Sequence, residues 1–365
     1  MRIGIDATAI TGKSKSGVEW YTRHLLVHLA QILSHEKVFL YTPQPLPFAF
    51  TRTLPILWKV RVLQWPLPFG WVQLRLSFEL LLHPIDIYFS PSYMPPLYHP
   101  KKTVVTIHDV AVKTNADVFS GFERMRQRVA LWRMMESASR ICTVSSATQN
   151  DLRERFPEMD TPVTLTPLGI DEVYFRSCSA EHKQRVREVY RLPEKYFLVL
   201  GRVVAKKNPE GAKDFVRAYR ERTGEDQHIV FVGKVEEIYK QQLAQDARAF
   251  AHFLGYVPEE DIPALLQEAA ALLFLSHKEG FGLPVLQAFA SGIPVVIGNE
   301  PALKELAGGY AFICLHTAYA KAAQELHQLL GDRVRLERIR QQMRGRAKHY
   351  TWRRTAEKTL AALLA

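Results

Sequence analysis

Short apolar, strand-like runs alternate with helix-like segments from one end of this sequence to the other. Such an alternation is typical of parallel sheets flanked by helices. Strands are predicted at residues 2–7, 38–42, 85–89, 103–107, 140–144 and 163–166, and again at 196–200, 228–232, 251–254, 271–275, 294–297 and 311–314. Because the pattern restarts near the middle of the 365 residues, it predicts an α/β fold of two Rossmann-like halves.

The stretch from Glu279 to Val296 carries the strongest functional signal. The apolar run 269–276 before it is predicted as a buried strand. Pro284 suits the first turn of a helix, and Gly292 suits its C-terminal end. Glu279 is therefore placed on a tight turn between a strand end and a helix start.

This turn has the chemistry of a phosphate site. Its glycines let the backbone approach a ligand closely, and N–H groups at a helix N-terminus attract anions. The residues that would present them are Gly280, Phe281, Gly282 and Leu283. Gln287 follows Glu279 by about two helical turns, so both side chains can face one ligand. The alternative is an ordinary strand-turn-helix with glycine in its turn.

Residues 279–287 resemble the E-x7-E motif of GT4-family retaining glycosyltransferases, which use nucleotide-sugar donors. One departure is that Gln287 replaces the second Glu. Further resemblances run along nearly the whole chain in the family's order: residues 3–6 with 17–22, 104–109, 143–146, 167–171, 196–202 with 206–209, and 253–257.

The resemblance implies a GT-B fold, with two Rossmann-like domains facing across a cleft. The first would span 1–175 on the acceptor side, and the second would span 176–349 and bind the donor. A helix at 350–365 would cross back onto the first. The reaction implied is transfer of a hexose, with mannose or glucose as a guess, to a hydroxyl in polysaccharide or glycolipid assembly, with retention of configuration.

Two cations follow the predicted strand 196–200. Arg202 and Lys207 could neutralise a leaving diphosphate, since Arg can contact two oxygens and Lys acts as a point charge. The alternative is a solvated basic loop. Gly17 closes a glycine- and lysine-containing loop without dinucleotide-binding or Walker A spacing, and the resemblance places it near the donor phosphates. The same resemblance gives Gln287 a ribose hydroxyl as partner.

His108 and Asp109 end an apolar strand. We expect His108 to line the sugar pocket, although a buried structural histidine is the alternative. Asp109 is either a base on the acceptor side or a cap of the next segment. With Glu279, which could offset positive charge on the anomeric carbon, these are the candidate catalytic residues.

No metal or other cofactor is expected, because the chain lacks the D-x-D pair with which metal-dependent transferases hold a divalent ion. The three cysteines show no CxxC spacing and fit a reducing cytosol. No signal peptide or transmembrane stretch is predicted. We therefore expect a cytoplasmic enzyme, with peripheral contact to the membrane as an option.

The net charge of +11 indicates an anionic partner, or simply a basic surface that aids solubility. No nucleic-acid-binding signature accompanies it, so donor phosphates, a lipid-linked acceptor or an anionic membrane fit better. Residues 54–82 are rich in Trp, Leu and Arg, which suits a membrane interface. We expect the helix at 71–82 to pack into the core, whereas 54–69 fits either interpretation.

Other activities are less well supported. The chain has no G-x-S-x-G nucleophile elbow, and a retaining glycosidase would need two facing carboxylates. A sugar-nucleotide epimerase, a glycogen-synthase-like polymerase and a nucleotide-sugar-binding protein without turnover remain as alternatives.

Overall fold

The computed structural model describes residues 1–11, 17–67, 69–92, 94–110, 121–315 and 318–365. The chain divides into two compact units. Unit one comprises Met1–Gly169 with Thr351–Ala365, and unit two comprises Ile170–Tyr350.

Unit one is built on a seven-stranded parallel sheet with strand order β3-β2-β1-β4-β5-β6-β7. Its elements are β1 (Arg2–Asp6), α1 (Gly17–Ile32), β2 (Lys37–Thr42), α2 (Phe48–Thr51), β3 (Trp58–Val62), α3 (Ser77–Leu82), β4 (Ile87–Ser90), β5 (Lys102–Ile107), α4 (Gly121–Ser137), β6 (Arg140–Thr143), α5 (Ser146–Arg155), β7 (Val163–Leu165) and the C-terminal helix, numbered α14 (Trp352–Leu364). A 3-10 turn follows β1 at Thr8–Thr11, and a π-helical segment at Trp71–Leu76 leads into α3.

Strand β3 was not predicted. It forms the edge of the sheet and pairs in parallel with β2. Only Trp58 of this strand is buried, and its indole N–H donates to the Leu33 carbonyl at 3.1 Å. Lys59 and Arg61 are exposed. Because an edge strand is only partly covered, its sequence lacks the continuous apolar run that marks the central strands.

Helix α14 completes unit one by packing against α1. A side chain at Gly169 would place its Cβ 2.1 Å from the backbone nitrogen of Trp352, so only glycine allows the two segments to approach this closely. The buried Trp352 ring meets Trp20 of α1 edge-on, with ring centroids 5.1 Å apart. The last helix of the chain is thus part of the first unit's core.

Unit two contains a six-stranded parallel sheet with strand order β10-β9-β8-β11-β12-β13. Its elements are α6 (Ala180–Val189), β8 (Tyr196–Leu200), α7 (Pro209–Thr223), β9 (His228–Val232), α8 (Glu237–Asp246), β10 (Ala251–Gly255), α9 (Ile262–Glu268), β11 (Ala271–Phe274), α10 (Leu283–Ser291), β12 (Val295–Ile297), α11 (Pro301–Ala307), β13 (Phe312–Ile313), α12 (Tyr319–Gly331) and α13 (Arg333–Ala347). Further 3-10 turns lie at Glu172–Phe175, Ala205–Lys207 and Glu259–Asp261.

In each sheet, the first strands are added one after another on one side, and the later strands are then added on the other side. Each sheet therefore has one point where the order of its strands reverses. In unit two this point lies between β8 and β11, and in unit one between β1 and β4. Loops that follow such neighbouring strands diverge and leave a crevice at the carboxyl edge of the sheet. The prediction of two parallel α/β halves is confirmed.

Candidate active site

The loops after β8 and β11 meet at the reversal point of unit two. The backbone N–H of His277 donates to the Lys206 carbonyl at 2.9 Å, which ties the two loops together. Lys207 closes the first loop and Glu279 lies on the second. Two residues 72 positions apart in the sequence are therefore neighbours because their strands are neighbours.

Lys207 and Glu279 form an ion pair within this crevice. The Lys207 Nζ lies 2.5 Å from the Glu279 Oε1, and the two side chains are only 23 % and 10 % exposed. The ammonium also lies 4.6 Å from the centroid of the Phe274 ring. Both groups are thus held in place where a ligand at the carboxyl edge would meet them.

Arg202 lies on the same loop but has a different partner. Its guanidinium donates to the Glu236 carboxylate at 3.0 Å, and both side chains are largely solvent-exposed. Exposed pairs of this kind are worth little, so Arg202 can exchange this contact for an anion at small cost. Its partner Glu236 carries no motif that would have marked it in the sequence.

The turn before α10 has the predicted form. Gly282 occupies the N-cap position with φ of 100°, a left-handed conformation, and a Cβ there would lie 2.6 Å from Leu303. Glycine also ends the helix, since Gly292 is the C-cap with φ of 73°. Because no side chain caps this N-terminus, its first turn keeps the positive end of the helix dipole without an acidic cap.

The four residues of the turn differ in what they can offer a ligand. Gly280 and Gly282 are buried, and Leu283 is half-buried at the start of α10. Phe281 is buried and packs edge-on against Tyr350, with ring centroids 5.8 Å apart. The Phe281 side chain therefore supports the turn, which leaves only its backbone for a donor.

Gln287 is buried on α10 and has a partner that the sequence did not suggest. Its Nε2 donates to the Tyr174 hydroxyl at 2.7 Å. Tyr174 belongs to the 3-10 turn at Glu172–Phe175, and burial raises the pKa of its hydroxyl well above the ordinary value. The phenol is therefore neutral at physiological pH. With the amide nitrogen fixed in this way, the geometry assigns the acceptor role to the other amide atom, Oε1.

A second buried carboxylate, Glu300, adjoins the Glu279 turn. Its Oε2 caps α11 by accepting from the Ala302 and Leu303 N–H groups at 2.7 and 3.3 Å. Its Oε1 lies 3.6 Å from the Lys278 Nζ. Burial raises the pKa of Glu300, and Lys278 opposes that shift. The sequence offered one signal for this cap. Proline is common at the first position of a helix, and Glu300 directly precedes Pro301.

In unit one, His108 lies beside the loop that follows β4. Its Nε2 is 2.9 Å from the Pro91 carbonyl oxygen, which can only accept, so Nε2 carries the proton. The ring meets Tyr21 edge-on at 4.6 Å. Burial lowers the pKa of His108, while the Pro91 carbonyl and the adjacent Asp109 oppose this shift. In the neutral ring Nδ1 is therefore left as an acceptor.

Two further candidate residues of unit one are Asp109 and Gly17. Asp109 is half-buried directly after His108. Gly17 begins α1 with open space where a side chain would lie, while residues 12–16 of its loop lie outside the described part of the chain. The structure adds the fully buried Asp6, whose Oδ1 accepts from the Thr8 N–H at 2.8 Å and whose pKa burial raises. Its sequence signal was its place at the end of β1.

Comparison with known proteins assigns a family to both units. The family model for group 1 glycosyl transferases matches residues 181–349. The model for glycosyltransferase family 4 matches residues 15–173.

Two relatives by sequence have low identity to this chain, and both are named as mannosyltransferases. An O-antigen chain mannosyltransferase B from Escherichia coli is 25 % identical over 281 residues, which are 76 % of this chain and 73 % of that protein. A GDP-mannose-dependent α-(1-6)-phosphatidylinositol dimannoside mannosyltransferase from Mycobacterium tuberculosis is 29 % identical over 61 % of this chain and 56 % of its own length.

The fold comparison covers the full chain. The crystal structure of Anabaena HepE in complex with UDP-glucose superimposes with a TM-score of 0.73 at 17 % identity, over 100 % of this chain and 99 % of that one. The neighbours by structure are GT-B glycosyltransferases, as the sequence predicted for the fold. Together with the two family models, this places the chain in glycosyltransferase family 4, as a glycosyltransferase of glycan assembly with the GT-B fold.

Proposed function

We propose that this protein transfers a hexose from a nucleoside diphosphate sugar to a hydroxyl acceptor with retention of anomeric configuration. The observation that carries the proposal is the Lys207–Glu279 pair at the reversal point of the unit-two sheet. It supplies a fixed cation for a diphosphate and a fixed carboxylate for a sugar. The turn at Gly280–Leu283 adds the positive end of a helix dipole.

The bond changes follow from these roles. The bond from the anomeric carbon to the diphosphate oxygen breaks, and the acceptor oxygen bonds to the same face of that carbon. The acceptor proton passes to the departing phosphate oxygen, so no protein nucleophile is consumed. Lys207 would stabilise the negative charge on the diphosphate, and Glu279 the positive charge on the sugar.

Mannose is the hexose that we propose, because the relatives by sequence are named as mannosyltransferases. One of them is named as GDP-mannose-dependent. The structural neighbour HepE holds UDP-glucose instead, so UDP-glucose is the second donor to test. Gln287 would accept from a ribose hydroxyl through Oε1, since its amide nitrogen is occupied by Tyr174.

On the acceptor side, we propose that His108 lines the sugar pocket as a neutral ring whose Nδ1 acts as an acceptor. This role fits its fixed Nε2–H contact to Pro91 and its lowered pKa. Asp109 remains a candidate base beside it.

The test is release of free nucleoside diphosphate in the presence of a candidate acceptor, measured with GDP-mannose and with UDP-glucose. Retention is read from the anomeric configuration of the product by NMR. Glu279→Gln preserves shape and removes charge, and Glu325→Gln on the exposed surface of α12 serves as the matched control. Tight donor binding without turnover for any acceptor would favour a binding protein, and an inverted product would refute the proposed mechanism.

A further inference from the structure

The helix that follows β3 exposes a row of large apolar side chains. It runs through the π-helical segment Trp71–Leu76 and α3. Leu74, Phe78, Leu81 and Leu82 recur at the spacing of one helical face, and each is between 50 % and 57 % exposed. We call these four residues the outer face. Core packing was predicted for this helix, and only its other side fulfils that prediction.

The inner side of the same helix packs on the sheet. Trp71, Leu76 and Leu80 are buried against Tyr41 and Tyr88 of the neighbouring strands. The core of unit one therefore already has its apolar layer. The outer face contributes nothing to that layer and is left as an additional apolar surface.

The charged residues of this helix are also placed contrary to the usual pattern of polar side chains in water and apolar side chains in the core. Its acidic residue Glu79 is buried, with the Arg75 guanidinium at 3.1 Å and the His83 ring at 3.2 Å. A carboxylate is thus enclosed and paired while leucines face water. Burial of a charge is costly unless it is paired, so this arrangement suits a helix whose outward side meets an apolar medium.

The apolar surface continues beyond the helix. Phe69, just before the helix, is 70 % exposed, and Leu97 is 65 % exposed. The Tyr98 backbone N–H next to Leu97 donates to the Ser77 hydroxyl at 3.1 Å, which places this loop beside Phe78. The outer face is therefore the centre of a wider apolar patch.

A cationic rim adjoins the patch. Lys59 and Arg61 of β3 align with Phe39 and Tyr41 of β2. Tyr41 belongs to the apolar cluster that the helix forms with the sheet, and Phe39 packs against that cluster. The two bases therefore project from the sheet on the side that the helix covers. From Lys37 to Ile85 the sequence holds five Lys and Arg residues and one acid, the buried Glu79.

We propose that the outer face docks onto an anionic lipid bilayer, with Lys59 and Arg61 beside the headgroups. An apolar helical face with basic flanks is the arrangement by which peripheral helices enter a membrane interface. A second copy of the chain fits less well, because a two-fold contact through this patch brings the same basic rims together. In the described part of the chain no helix is long and apolar enough to span a bilayer, so the contact is with the membrane surface.

The experiment is vesicle co-sedimentation of the full chain, with phosphatidylcholine vesicles that either contain or lack phosphatidylglycerol. Wild-type protein is expected to bind the anionic vesicles and to be released by salt. The double variant Phe78→Glu/Leu81→Glu should bind at least about tenfold more weakly, since two apolar side chains no longer enter the interface. Phe78→Ser/Leu81→Ser tests the same loss without added charge.

Matched controls come from exposed positions of helix α8 in unit two. Ile238→Glu, at a site 59 % exposed, makes the same charge change outside the patch. Lys59→Glu should weaken binding to anionic vesicles only. Its control is Lys240→Glu, which makes the same charge change outside the patch. Unchanged melting temperatures confirm folding.

Four results would overturn the proposal. The first is wild-type binding by the double variants, and the second is an equal loss in Ile238→Glu. The third is salt-independent binding to both kinds of vesicle. The fourth is a wild-type dimer that the double variants dissociate, without any binding to vesicles, which would assign the outer face to a second copy.

Discussion

The hydrogen bond between Gln287 and Tyr174 can be tested directly for its contribution to the stability of the site. The Gln287 Nε2 donates to the Tyr174 hydroxyl at 2.7 Å, and both residues are buried. We consider Gln287→Leu, Tyr174→Phe and the double variant. Each single variant removes one partner and leaves the other as a buried polar group without its hydrogen bond.

The expected magnitude follows from that orphaned group. A buried donor or acceptor without a partner costs about 1–3 kcal/mol, whereas replacement of both partners by apolar groups can be nearly neutral. The double variant should therefore be less destabilised than the two single variants summed. For a unit of this size, each kcal/mol corresponds to ~2–4 °C in Tm. Gln341→Leu, on the exposed side of α13, is the control and should leave Tm unchanged.

The effects of Gln287 variants on donor binding should differ from their effects on stability. Gln287→Glu is expected to be tolerated or to improve donor binding, because the Tyr174 hydroxyl can also donate and a carboxylate accepts a ribose hydroxyl more strongly than an amide. Gln287→Leu removes the acceptor and should weaken binding.

Thermal melting and calorimetry with the nucleoside diphosphate would decide both points. Strictly additive effects of the two single variants on Tm would refute the proposed pairing. Normal donor affinity in Gln287→Leu would show that Gln287 only packs, and the match to the family motif at this position would then need revision.

The other predictions concern the charged groups. Glu279→Ala should lower turnover at least ~100-fold without unfolding the protein, because it removes stabilisation made mainly in the transition state; near-normal turnover would exclude that role. Lys207→Ala and Arg202→Ala should each weaken diphosphate binding by about 1.5–3 kcal/mol and nucleoside binding less; equal losses in calorimetry would mean that the loop does not contact phosphate. EDTA should leave the rate nearly unchanged, and activity restored by magnesium or manganese would reveal a metal site. For His108, whose folded-state pKa lies below its ordinary value near 6.5, the unfolded chain binds the proton first, so stability should fall as pH drops below about 6.5; His108→Gln should flatten that part of a pH–Tm profile.

Much of the site could be predicted because chain direction and strand order determine it. Lys207 and Glu279 each follow a strand at the centre of the unit-two sheet, and the loops after such neighbouring strands must be close in space. Glycines at 282 and 292 marked the two ends of α10 because both positions require a left-handed backbone. These features are local, and a short run of sequence specifies each of them.

The features that the sequence did not predict depend on contacts between distant residues. Tyr174 meets Gln287 across 113 positions, and nothing in the sequence around Tyr174 indicates that contact. Strand β3 was missed because an edge strand with one buried side chain has no distinctive periodicity. For residues 71–82 the sequence suited both a membrane interface and core packing, and core packing was preferred. The choice was open because a sequence pattern shows apolar positions on two sides of a helix but does not show which side the sheet will cover.

The packing of α14 on α1 has a consequence for synthesis of the protein. Residues 1–169 leave the ribosome first, yet the core of unit one also requires Trp352, Ala356 and Leu363, which are all buried. Unit two is an insertion between these parts and can fold while the chain is still being made. Unit one would wait with an open apolar groove along α1 until α14 has been translated. Loss of residues 351–365 should therefore damage unit one, with aggregation of nascent chains as the expected symptom.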